Sequence, residues 1–155
     1  MDMVAAACLA LAPLALSIGS SARAADGFPP GLWKLNEAES RTLAPKSQLL
    51  KIERNDGRLL SFEIREARAD GTHTVLKWHG AYDGRPRTIS GAPGSLAIAH
   101  GPNGSIVISG QQPGGVTLKE VCQVQRHERR LSCSGTQWRA GAKRADYLEV
   151  YDRQP

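Results

Sequence analysis

The sequence predicts an all-β chain: an antiparallel up-and-down meander that closes into a barrel of about 8–10 strands. Three observations carry this expectation. Turn signals recur 10 to 14 residues apart, at Asp56-Gly57, Asp70-Gly71, Asp83-Gly84, Pro93-Gly94, Asn103-Gly104, Gly114-Gly115, the polar stretch around His127-Glu128, and Gly141. Between them, apolar and polar residues alternate with a period of two. A helical period is missing, except that Glu37 to Leu43 suits a short helical turn.

Candidate strands follow in order at 31–36, 48–54, 59–66, 73–82, 86–90, 95–100, 105–111, 116–125, 130–138 and 145–152. In the third, Leu60, Phe62 and Ile64 face one side, opposite Ser61, Glu63 and Arg65. In the fourth, Leu76, Trp78 and Tyr82 oppose His73, Lys77 and His79. Leu96 and Ile98 alternate with the small Ala97 and Ala99, which leave room in a barrel interior. Ile106, Ile108, Val116, Leu118, Cys122 and Val124 continue the pattern, and Trp33, Trp78 and Trp138 are expected in the core or at a barrel end. Asn-Gly and Asp-Gly pairs tolerate positive φ and suit two-residue hairpin turns. A sheet this long curls, splits into a sandwich or closes, and short hairpins in series favour closing.

The 155 residues suit one domain. Val4 to Ile18 is an uncharged apolar run, followed by small residues and Ala22-Arg23-Ala24, an A-x-A-like cleavage site. At about 15 residues the run falls short of the roughly 20 that a membrane span requires. We therefore expect a signal peptide over residues 1–24 and a barrel domain over residues 25–155. That implies a periplasmic or secreted protein with no transmembrane segment after cleavage. Met1-Asp2-Met3 lacks the positive charge usual at such a start. Removing the leader takes one acid, Asp2, and one base, Arg23, so the net charge of +5 is unchanged. The leader also carries away Cys8, leaving Cys122 and Cys133, an even pair that suits a disulfide in an oxidising compartment.

That pair tests the hairpin register. With the turn at His127-Glu128, Cys122 lies opposite Cys133 and Val124 opposite Leu131. Glu120 then falls opposite Gly135, on the side of Leu118 and Cys122. An inward carboxylate there could line a pocket or act as an acid or base. A bulge would instead turn it outward, and a place at the barrel mouth would leave it in water.

Nothing else in the chain carries specific chemistry. His73 and His79 are roughly 20 Å apart along one strand and cannot share a metal. His100 sits at a strand end and His127 in a turn. Neither G-x-S-x-G nor a phosphate-binding G-x-x-x-x-G-K-[ST] occurs. Scattered basic residues and an aromatic content of only 5% speak against nucleic-acid binding, which uses stacking platforms. No catalytic residue, metal ligand or cofactor is assigned. The residues expected to line a ligand cavity are Leu60, Phe62, Ile64, Leu76, Trp78 and Tyr82, with Glu120.

Gly31-Leu32-Trp33-Lys34-Leu35-Asn36, Ala81-Tyr82-Asp83-Gly84 followed by Gly91, and Val150-Tyr151-Asp152-Arg153 together resemble a group of small exported bacterial proteins of unknown function. The opening G-x-W is also similar to that of lipocalins. That resemblance implies a barrel end plugged by Trp33, with Arg153 or Arg139 packed over the indole. Asp146-Tyr147 stands at the chain end, where the second lipocalin motif does not belong, so the resemblance implies a shape and not a ligand. The expected function is an exported, lipocalin-like, non-catalytic module that binds a small apolar or amphipathic molecule. One alternative is a filled barrel acting through its surface, as an inhibitor or on an anionic envelope component. Another is a hydrolase or isomerase using Glu120 or a histidine.

Overall fold

The computed structural model describes residues 28–42, 47–125, 127 and 129–155. The proposed leader with Cys8, and Leu43 of the proposed helical turn, lie outside the described residues. Ten strands form one antiparallel sheet: β1 (Gly31–Leu35), β2 (Ser47–Asn55), β3 (Leu59–Ala67), β4 (His73–Ala81), β5 (Arg87–Thr88), β6 (Ser95–His100), β7 (Ile106–Gln112), β8 (Val116–Gln125), β9 (Arg130–Arg139) and β10 (Ala145–Arg153). Strands adjacent in the chain pair with one another except across β4 and β5, and β1 pairs with β10. The meander is therefore a nearly closed barrel, with its seam between β4 and β5. Two isolated bridges, Lys77–Ser90 and Asp83–Ala99, draw the seam together.

The turns form where the sequence signals them, but they are longer than two residues. Residues 56–58 join β2 to β3, and residues 101–105 join β6 to β7. At the second, Asn103 and Gly104 adopt φ of 55° and 72°, the left-handed region those residue types enter most readily. The segment from Glu37 makes a single turn, with Asn36 O accepting from the amides of Glu39 and Ser40, and no helix. An Arg41–Leu148 bridge then returns the chain to the sheet.

Alternation decides what points inward. Trp33, Leu60, Trp78, Ile98, Ile106 and Leu131 are fully buried at or near one end of the barrel. There Trp33 registers against Arg153, whose guanidinium lies 5.7 Å from the indole centroid and donates to Pro30 O at 2.8 Å. Gly31, at φ 145°, has no Cβ; one placed there would come within 3.2 Å of Arg153 Nε. The Gly of G-x-W is thus the space in which Arg153 crosses Trp33. Arg139 lies far from this joint, beside Gly114.

Two further expectations change. Trp138 alternates with inward Gln137, so it stands on the outer surface beneath Arg144, 5.4 Å from its centroid. Ala97 and Ala99 alternate with buried Ile98 and so face outward; they leave no space inside. Glycines also occupy inward positions, and neighbours fill the space they leave: Arg87 and Trp78 at Gly80, Leu96 at Gly110 and Tyr147 at Gly135.

Removing the plug should be costly. Trp33→Ala is expected to lower stability by about 3–5 kcal/mol through lost burial and a cavity. Arg153→Ala should cost about 0.5–1 kcal/mol. Urea unfolding monitored by circular dichroism measures both.

Candidate functional site

Away from the plugged end, the barrel interior is a cavity of about 450 Å³, within the range of small-molecule sites. Its walls are apolar: Phe28, Leu50, Ile52, Phe62, Ile64, Leu76, Ile89, Leu96, Ile108, Leu118 and Leu131. Arg68, Ala92, Pro93 and Pro113, from the turns after β3, β5 and β7, carry the lining to the barrel end opposite Trp33.

Of the residues expected to line a cavity, Phe62, Ile64, Leu76 and Glu120 do so. Leu60, Trp78 and Tyr82 lie elsewhere. Leu60 and Trp78 face inward but fall within the packed end. Trp78 lies 5.8 Å from Phe62 between ring centroids and donates Nε1–H to Leu96 O at 3.3 Å. Tyr82 stacks on His100 with centroids 4.2 Å apart. Alternation tells which face a residue takes, not how far along the barrel axis it falls.

One side of the cavity is polar, built by β2, β3, β8, β9 and β10. The β8–β9 register pairs Cys122 with Cys133 and Glu120 with Gly135 without a bulge, and the two sulfurs are joined. Glu120 therefore points inward. On β10, Tyr147 pairs with Gly135 from the other side. Because Gly135 has no side chain, the Tyr147 ring lies across β9, and its hydroxyl donates to Glu120 Oε2 at 2.7 Å. The other carboxyl oxygen of Glu120 lies 2.7 Å from Cys122 Sγ. An oxidised sulfur has no proton to give, so that contact is a hydrogen bond only when the carboxyl is protonated and donates.

Two more carboxyls share this wall. Glu149 Oε2 lies 2.7 Å from the Tyr151 hydroxyl, which is also 2.9 Å from Gln48 Oε1. Gln48 in turn donates Nε2–H to Glu66 Oε1 at 3.3 Å. Burial, reinforced by the charge of Glu149 and opposed by the Tyr147 hydrogen bond, pushes the Glu120 carboxyl up to about 7. Burial likewise raises Glu149 and Glu66, and holds the Tyr147 and Tyr151 hydroxyls firmly protonated. Sequence reasoning misses Glu66, Glu149, Tyr147, Tyr151 and Gln48 as site residues. The signal available for three of them is alternation along β10, which puts Tyr147, Glu149 and Tyr151 on one face.

Chemically, the wall can accept hydrogen bonds and, near neutral pH, exchange a proton at Glu120. Among the described residues, the group of potential metal ligands is Glu120, Cys122 and Cys133, and the disulfide removes the thiolates a metal would need. The histidines stand apart from the cavity lining.

No family model matches the chain, and no curated protein matches it. Solved structures do. The fluorescent protein UnaG aligns at a TM-score of 0.54 and 16% identity, over 81% of this chain and 96% of that one, both as the wild type and as a single-site mutant. A de novo designed fluorescence-activating β-barrel aligns at a TM-score of 0.45 and 13% identity, over 82% of this chain and 94% of that one. The likeness to UnaG is one of fold, an antiparallel β-barrel.

The half-buried carboxyl of Glu120 has a consequence for stability. The folded state holds the Glu120 proton up to about pH 7, whereas the ordinary value is 4.5. Its contribution is thus intact below pH 4.5, falls as pH rises through 7, and is a net destabilisation above that. Glu120→Gln is expected to stabilise the protein by about 1–3 kcal/mol at pH 8 and by little at pH 4.5. Thermal unfolding across that pH range checks it. Gly135→Val should instead destabilise by about 1–3 kcal/mol at every pH, because its side chain collides with Tyr147.

Proposed function

We propose that this chain is an exported, non-catalytic binding module whose barrel interior takes up one small apolar or amphipathic molecule. The observation that carries the reading is the cavity itself: about 450 Å³, walled by aliphatic and aromatic side chains, with hydrogen-bonding groups gathered on one side. Hydrophobic walls supply affinity, and a few placed polar groups supply orientation. The open interior stands against a filled barrel that acts only through its surface.

Export rests on other observations. The apolar run from Val4 to Ile18 and the Ala22-Arg23-Ala24 site support a cleaved leader, with the barrel beginning after residue 24. The Cys122–Cys133 disulfide is compatible with an oxidising compartment. Among the described residues, no helix is long and apolar enough to cross a membrane.

Native mass spectrometry tests the reading. The full-length chain, expressed with its own leader and recovered from the periplasm, should begin at Ala25 or Asp26. It should carry an extra mass that denaturation releases, or bind the neutral dye Nile red at one site once stripped. A bare protein that leaves Nile red dark would overturn the binding reading, and a retained leader would overturn export.

A further inference from the structure

We propose that the cavity selects an organic cation: a protonated amine on an apolar body, with its nitrogen seated against Glu120 and Glu149. The inference rests on the binding reading above and names the class of ligand.

Hydrogen-bonding capacity carries the first half of the case. Glu66, Glu120 and Glu149 bring three carboxyl groups to one wall. The donors that meet them are the hydroxyls of Tyr147 and Tyr151 and the amide of Gln48. Each hydroxyl has one proton, so Tyr151 cannot serve both Glu149 and Gln48 Oε1 at once. Glu120 Oε1 faces only an oxidised sulfur, which donates nothing. The wall is therefore rich in acceptors and short of protons. Carboxylates largely withdrawn from water and left unpaired are costly, and N–H donors bearing positive charge satisfy them best.

The placement of charge carries the second half. Outside the cavity, carboxylates find cations: Glu63 lies between Lys77 at 2.9 Å and Arg65 at 2.5 Å, and Asp83 meets Arg87 at 2.7 Å. Arg130 holds both Glu39 and Asp152. Among the described residues, no Lys, Arg or His forms an ion pair with Glu66, Glu120 or Glu149; Arg68 lines the cavity and acts on Glu66 at a distance. A chain of net charge +5 thus gives its buried Glu63 two cations and its cavity acids none in contact. The cavity is an independent feature: its apolar walls give an amine's hydrocarbon part a place to sit. A carboxylate ligand would add a like charge to this wall.

The groups facing Glu120 set the pH response. They are Tyr147, Glu149 and Tyr151 from β10, Glu66 from β3, the neutral Gln48 from β2, Ile108 from β7, and the disulfide of β8 and β9. Arg68, from the turn after β3, also lines the cavity as a cation; the other titratable groups there are acids. Raising the pH therefore only adds negative charge, and an alkylamine, which stays protonated below about pH 10, binds more tightly.

Decylammonium, decanol and decanoate share one apolar chain and differ in the head group. Titrated calorimetrically into the oxidised, exported protein at pH 8, decylammonium is expected to bind at least about ten-fold more tightly than decanol, with decanoate weakest. That advantage should shrink to less than about three-fold at pH 5.5, and likewise in the Glu120→Gln, Glu149→Gln double variant. Decanol or decanoate binding as tightly as decylammonium to the wild-type protein would overturn the cation inference while leaving the binding reading standing. Binding of none of the three, with Nile red also excluded, would remove both. The wild-type comparison needs no variant to fold.

Discussion

The pairing of β1 with β10 is the constraint from which the rest of the structure follows. Once the first and last strands join, alternate side chains of every strand are committed either to the interior or to water, since a period of two leaves no third choice. The joint is built around Trp33: the indole fills the barrel end, Arg153 closes over it, and Gly31 yields the space for the guanidinium. With that end packed solid, free volume can persist only toward the other, where the turns after β3, β5 and β7 meet. Plug and cavity are two results of one closure.

The interior carries an electrostatic tension that packing alone would not produce. Burying Glu120 beside Glu149 disfavours its charged form, and its pKa moves to about 7. An apolar residue of similar size would avoid this desolvation, so the carboxyl works against stability. Such a group is the kind retained for binding, where stability and function pull apart. Gly135 follows the same logic: it gives up packing so that Tyr147 can reach across β9 to Glu120. The disulfide, two residues from Glu120 on the same face, ties the two strands that carry this wall.

Much of this is legible in the sequence because it is local. Hairpin spacing and alternation locate ten strands and their inward faces, and the sum of residue numbers across one turn locates the Cys122–Cys133 pair and sets Glu120 opposite Gly135; the absence of a bulge there, which turns Glu120 inward, is visible only in the β8–β9 ladder. Hairpin register is arithmetic once the turn is known. What the sequence misplaces involves depth or a third strand. Leu60 shares a face with Phe62 but sits one step nearer the packed end, and Trp78, opposite Phe62, is covered by its neighbours rather than open to the cavity. Trp138 suggests core by its size, and alternation with Gln137 sends it outward.

The sequence by itself determined the all-β class, the strand order and the paired cysteines. Each depends only on residues close in the chain or joined by one hairpin. Only the tertiary structure decided that Glu120, Glu149 and Glu66 share one wall: β8 and β10 flank β9, but Glu66 comes from β3, which the pairing of β1 with β10 brings to that side. Where the cavity begins was likewise settled by three dimensions: position along a barrel axis depends on the tilt and stagger of all the strands together, and no single strand's pattern encodes it.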